Sequence, residues 1–184
     1  MKLLIEDLKY KQHVYKLDGL EYSLFRILTT DGTSAIVLYR LMRWLKQYRL
    51  GPLALFVGIV NKLLNQCVIG TDARFGAGFV LMHPNGVVVN SRVQGGEGVV
   101  VESGVVIGSE KGHTPRLGNH IFIGSGAKII GAVTLGDHAK VGANAVVVND
   151  VDSSTTVVGI PAKPIRRKAC ASSQAPASVQ DAPA

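Results

Sequence analysis

The chain has 184 residues, room for one domain with appendages. Hydrophobic residues make up 47% of it, yet aromatics only 6%, and glycines number 21, so small β-branched side chains must fill the interior. The net charge of +7 favours an anionic partner, which nucleic acid, anionic lipid or a phosphorylated ligand would each satisfy.

Cys67 and Cys170 lie too far apart in sequence for a metal-ligand pattern or a disulfide framework, which fits a reducing cytoplasm. The N-terminus, MKLLIEDLKYKQ, has a short apolar run, early charges and no small-residue cleavage site, so no signal peptide is expected. The longest apolar stretch, LALFVGIV at 53–60, falls short of the roughly 20 residues a spanning helix needs.

Residues 1–66 read as helical. Ile36, Val37, Tyr39, Arg40, Leu41, Arg43, Trp44 and Leu45 put apolar groups at helical spacing with basic residues between them. Asp31-Gly32-Thr33-Ser34 reads as a turn leading into an N-cap. Gly51-Pro52 stops that helix, and a second, very apolar helix is expected over about Leu53–Gln66. The pair packs on the rest of the domain or on neighbouring subunits. Its basic and aromatic residues also suit peripheral membrane contact through 36–66.

Residues 67–160 follow a different period. Every sixth residue is apolar from Ile69 through Phe75, Leu81, Val87, Val93, Val99 and Val105, and again from Leu117 through Ile123, Ile129, Leu135, Val141 and Val147. A period of six is that of a parallel β-helix built from hexapeptide repeats, with about four and a half coils of three hexads each. Residues 18 apart then stack, the aliphatic side chain points inward, and the narrow prism accounts for the scarcity of rings. His83 falls at an outward phase. Residues 109–116 (SEKGHTPR) take the place of a hexad without its apolar phase, which predicts a loop thrown out of the prism carrying His113. His120 and His138 fall at outward phases of regular hexads and read as surface residues, and His13 has no context.

The C-terminal part, 161–184, begins with a basic, extended PAKPIRRK and continues in an Ala/Ser/Pro-rich tail that reads as disordered. Positive charge is otherwise dispersed and no nucleic-acid reader motif is present, so no nucleic-acid partner is expected.

The hexads, followed by GIPAKPIR at 159–166, resemble the hexapeptide-repeat acyltransferases. The order of features is closest to serine acetyltransferases and their polysaccharide-modifying relatives: LYRLMRWL in a helical segment, FGAGFVLMHPNGVVV, a His-containing loop, then IGSGAKIIGAVTLG. The resemblance implies a mainly β fold, a left-handed parallel β-helix with an N-terminal α-helical segment. It implies an acetyl-CoA-dependent O-acetyltransferase acting on L-serine or a sugar or polysaccharide hydroxyl, with no metal. It further implies a homotrimer or dimer of trimers with active sites in the clefts between prisms.

His83 matches the histidine that serves the family as general base. An imidazole titrates near neutral pH, so it can take a hydroxyl proton and return it to a departing thiolate. His113 corresponds to the family's loop histidine. Ser125 and Ala143, one coil apart and each behind an aliphatic-Gly pair, match positions that line the pantetheine groove. Lys163 and Arg166 follow the coil end, where the family places the 3′-phosphoadenosine, and long cations there suit phosphate. Two family carboxylates are missing. Met82 stands where an Asp precedes the base, and Val68 stands where another Asp, fifteen residues before the base, orients it. That moves the expected acceptor towards a saccharide. The alternative is a non-catalytic trimeric β-helix scaffold, similar to gamma-class carbonic anhydrase relatives that have lost their metal.

Overall fold

The computed structural model describes residues 2–165. Four helices precede the β region: α1 (Lys2–Leu17), α2 (Leu24–Leu28), α3 (Thr33–Gln47) and α4 (Gly51–Asn65). Pro52 sits in the first turn of α4, where a missing amide hydrogen costs nothing, so Gly51-Pro52 opens that helix. The preceding helix, α3, has already ended at Gln47, where Arg49 turns left-handed (φ 61°) and the Leu50 amide donates back to the Leu45 carbonyl (3.0 Å). The cap of α3 is Gly32, at φ 76°, and makes no side-chain capping bond.

The β region is a left-handed parallel β-helix. Strands of two or three residues stack into three sheets. The first runs from Val68–Ile69 through Val88–Val89, Val106–Gly108 and Lys128–Ile130 to Val146–Val147. The second holds Arg74–Phe75, Gln94–Gly95, Arg116–Leu117 and Thr134–Leu135. The third holds Val80–Leu81, Val100–Val101, Phe122–Ile123, Lys140–Val141 and Thr156–Val158. At its end Lys163–Pro164 pairs antiparallel with Thr156–Val158.

The register corrects the expected phase. Residues 18 apart stack only in part of the prism, as in Val88 with Val106 and Phe122 with Lys140. Ile69 pairs with Val89 and Leu81 with Val101, a step of 20 in each case. Gly95 pairs with Leu117 and Val101 with Ile123, a step of 22. Two extra residues therefore enter between Leu81 and Val89, and four between Ile107 and Leu117. The inward strand residues after Leu81 are Val89, Gly95, Val101 and Ile107, two places beyond the expected Val87, Val93, Val99 and Val105. Those four valines are nevertheless fully buried, because the residue two before each strand position also faces in at the corner.

The helices close the open base of the prism, whose first coil has no rung beneath it to bond its strand edges. On α3, Tyr39 donates its hydroxyl to the Ala73 carbonyl (3.1 Å), and the guanidinium of Arg40 donates to the carbonyls of Phe75 (2.9 Å) and Gly76 (2.6 Å). Arg40 also forms a two-pronged ion pair with Asp7 of α1 (2.7 and 2.9 Å), and the Asp7 carboxylate accepts from the Phe79 amide (2.9 Å). Phe75 and Phe79 stack with centroids 4.1 Å apart, against Tyr39. A Cβ on Gly95 would overlap the Phe75 ring, so glycine is required at that inward position.

The burial of α4 is inverted. Ala54, Val57, Asn61 and Asn65 face the protein, while Leu53, Leu55, Phe56, Ile59, Leu63 and Leu64 face outward, with Leu63 at 74% exposure. The Asn61 amide donates to the Ala35 carbonyl of α3 (3.2 Å) and Asn65 donates to Asn61 (2.9 Å), which satisfies the buried polar atoms.

Candidate active site

His83 lies in the corner that joins the third sheet to the first, within the two-residue insertion. Extra chain at that corner lifts the imidazole off the regular prism wall, and its side chain is 55% exposed. Its Nδ1 is 3.2 Å from Oδ2 of Asp31, in the turn between α2 and α3. In the sequence Asp31 stands out only as a turn residue. Nothing local connects position 31 to position 83, and only the docking of the helical cap on the prism base brings them together. Glu102 lies one coil above Met82, because Leu81 pairs with Val101. Burial pushes the Glu102 carboxyl above the usual carboxylate range, and the charge of His83 opposes that rise.

A cleft of about 270 Å³ opens at this point, lined by Tyr15, Tyr22, Arg26, Thr29, Thr30, Asp31 and His83. The Arg26 guanidinium lies over the Tyr22 ring, 4.6 Å from its centroid. The cleft thus offers a carboxylate, a guanidinium, four hydroxyls and an imidazole around one small space.

The pairing carries His83, Ser103, Ser125 and Ala143 up one edge of the prism, each two residues past the stacked positions Leu81, Val101, Ile123 and Val141. Coils are spaced by roughly 5 Å. The edge is built by left-handed corners: Gly104, Gly126 and Asn144 have positive φ, and their amides donate to the carbonyls of Asn85, Ser103 and Ser125 (2.8, 2.7 and 2.8 Å). Ser125 and Ala143 are exposed and small, so the edge above His83 carries little side-chain bulk at those positions.

His113 occupies a different edge, between the first sheet and the second. The expected loop is a short hairpin in which Glu110 and His113 exchange both backbone hydrogen bonds (3.0 and 2.9 Å). Lys111 and Gly112 both take positive φ, as a tight hairpin turn requires. The excursion adds four residues to its coil and displaces no rung. His113 lines a separate cleft of about 360 Å³ with Arg116 and Thr134. The width of the first sheet separates the edges of His83 and His113, so one chain does not bring the two histidines together. His120 and His138 lie on the third edge, exposed, with rings stacked 4.9 Å apart. Lys163 is exposed in the closing antiparallel strand, and Arg166 lies outside the described residues.

Among the described residues no group of three or more His, Cys, Asp or Glu side chains could hold a metal ion. Nor is any helix among them long and apolar enough to cross a membrane.

Three hexad sheets, a histidine at a widened corner and a row of small exposed residues above it are the architecture of a hexapeptide-repeat transferase. The family of bacterial transferase hexapeptide repeats (six repeats) matches residues 114–149. A serine acetyltransferase of Helicobacter pylori is 34% identical over 167 residues, covering 80% of this chain and 97% of that protein. One from Synechococcus elongatus is 36% identical over 146 residues, covering 77% of this chain, which spans 59% of that relative's length. Among solved structures, the Neisseria gonorrhoeae serine acetyltransferase in complex with serine superposes with a TM-score of 0.81 at 32% identity, covering 90% of this chain and 68% of that one. A serine acetyltransferase in complex with CoA gives a TM-score of 0.82 at 29% identity, covering 89% and 68%. The chain belongs to the serine acetyltransferase family of hexapeptide-repeat acyltransferases.

Proposed function

We propose that the chain transfers the acetyl group of acetyl-CoA to the hydroxyl of L-serine, with His83 as general base. The observation that carries the reading is the His83–Asp31 pair at the foot of the prism edge that carries Ser125 and Ala143. With Nδ1 turned to the Asp31 carboxylate, Nε2 is left for the acceptor. His83 takes the hydroxyl proton as the oxygen attacks the thioester carbonyl. The C–S bond then breaks and the proton returns to the departing CoA thiolate. Asp31 holds the ring and stabilises the imidazolium formed in between. The carboxylate and guanidinium of the cleft match the two charges of an amino acid, and relatives named serine acetyltransferases support the same acceptor.

The pantetheine arm lies along Ser125 and Ala143, and Lys163 and Arg166 meet the CoA phosphates beyond the coil end. His113 takes part from a neighbouring prism, since its own chain holds it on another edge. That geometry asks for a trimer with shared sites, in the cytoplasm where a CoA-thioester donor is supplied. The helical cap contacts an anionic membrane surface through 36–66: α4 turns its large apolar residues outward, and no Asp or Glu occurs between Asp31 and Asp72.

A saccharide acceptor is the second reading, favoured by Met82 and Val68 in place of the family carboxylates. Thiol release from acetyl-CoA, measured against L-serine and a panel of sugars, tests both. Turnover with serine is expected. Turnover with a sugar and none with serine overturns the serine reading, and no turnover with any acceptor contradicts the activity itself.

A further inference from the structure

The Asp31 turn is gripped from within the protein by a lysine. Lys11, on α1, has no exposed surface. Its ammonium donates to the backbone carbonyl of Asp31 and to Oγ1 of Thr33 (3.1 Å). The Thr33 hydroxyl is committed as a donor to the Ile27 carbonyl (2.7 Å), so it accepts from Lys11. The turn has a second fixed contact at Gly32, which packs so closely on the end of the third sheet that a Cβ would overlap the carbonyl of Leu81. Leu81 lies two residues before His83. Lysine and glycine together hold the Asp31 backbone in one place relative to the corner that carries the base.

An ammonium in that position is expensive. Burial lowers the Lys11 amine to about 8, with the charge of Asp31 opposing the fall. Replacing Lys11 by an apolar side chain removes that desolvation cost but leaves the Asp31 carbonyl and the Thr33 hydroxyl without their buried donor, which itself lowers stability. The Asp31 carboxylate, in contrast, is 74% exposed, and an exposed pair with an imidazole has little strength of its own to keep it in line. Its alignment has to come from the backbone that carries it.

We propose that Lys11 is a positioning residue for the acetyl transfer: by holding the Asp31 carbonyl it sets where the Asp31 carboxylate stands, and through it the orientation of the His83 ring. The proposal rests on the reading of His83 as the base.

A double-mutant cycle on the full chain tests it. Steady-state turnover is measured with acetyl-CoA and L-serine, or with the sugar that supports turnover, for wild type, Lys11→Met, Asp31→Asn and the double variant. Each single change is expected to lower kcat about tenfold, or about 1.4 kcal/mol, with KM for acetyl-CoA unchanged. The double variant is expected to be no slower than Asp31→Asn, because Lys11 acts through that carboxylate. Wild-type turnover in Lys11→Met, or losses that multiply to about a hundredfold in the double variant, overturns the proposal. If Lys11→Met does not fold, Lys11→Gln, which is shorter and neutral, serves the same cycle. His83→Ala is run alongside. If it retains turnover the base reading itself falls. If it loses turnover while the Lys11 variants do not, only the assignment of Lys11 falls.

Discussion

Asp31 and His83 meet with 3.2 Å between carboxylate and imidazole Nδ1, across 52 residues of chain. Where the resemblance implies two carboxylates, one immediately before the proposed base and one fifteen residues before it, this chain has Met82 and Val68, and the helical cap brings a carboxylate to His83 from another part of the chain. The contact depends on the Asp31-Gly32 turn seating against Leu81. Gly32 has both a positive φ and no room for a Cβ. Gly32→Ala is therefore expected to cost about 1–3 kcal/mol of stability, from the strained backbone and the displaced turn. It should lower kcat as well, while KM for acetyl-CoA stays near the wild-type value. Chemical denaturation together with steady-state kinetics checks both parts.

The edge of small residues above His83 makes a separable prediction. Ala143 is exposed and stacks one coil above Ser125, so bulk added there meets the ligand before it meets the core. Ala143→Leu should raise KM for acetyl-CoA about tenfold, equivalent to about 1.4 kcal/mol of lost binding, with melting temperature unchanged. A variant with unaltered KM would remove that edge from the donor site.

The Lys11 amine gives a pH signature to stability. Its folded value of about 8 lies below the ordinary 10.5, so between those limits the unfolded chain binds more protons than the folded one. Stability due to this group therefore rises with pH across that window, and the cost of burying the ammonium is fully present below about 8. Relative to Lys11→Met, the wild type should gain stability as pH rises from about 8 to about 10.5. Thermal melts of both proteins across that range measure the gap. A gap independent of pH would show that Lys11 does not change its titration on folding.

The apolar face of α4 predicts binding to vesicles. Phe56, Ile59, Leu63 and Leu64 are exposed, Trp44 and Tyr48 sit together at the C-terminal end of α3, and Arg49 and Lys62 lie nearby in the chain. The full chain should sediment with vesicles containing phosphatidylglycerol more than with phosphatidylcholine alone, and salt should weaken the effect. The double variant Phe56→Ser, Leu63→Ser should stay in the supernatant. Equal recovery of wild type and variant with either vesicle would contradict membrane contact.

Much of this architecture is legible in the residues. The six-residue period reports the coil because the narrow interior accepts little but aliphatic side chains. The exact rung positions are less legible, and the reason is physical. Both the strand residue and the residue two before it face inward, so Val87 and Val89, or Val99 and Val101, satisfy the same pattern. A two-residue insertion at His83 therefore leaves the apolar period intact while shifting the rungs from Val89 to Ile107, until the four extra residues before Leu117 restore the phase. Gly95 adds to the ambiguity, since the Phe75 ring fills the space its own side chain would take. The hairpin at 110–113 is visible as a break in period, but whether it replaces a rung is fixed only by strand pairing. Position 83 stands out in the sequence as a histidine at an outward phase. Asp31, which meets it, and Lys11, which holds the Asp31 carbonyl, do not, because their meeting depends on how the helices dock against the prism.

The most direct test of the account is turnover of His83→Ala with acetyl-CoA and L-serine, followed by thiol release. The account predicts a fall in kcat of about 10²–10⁴-fold, the contribution of a positioned general base. His83 is 55% exposed at a corner outside the core, so the variant should keep the wild-type melting temperature. Wild-type kcat in a folded His83→Ala protein would contradict the central claim.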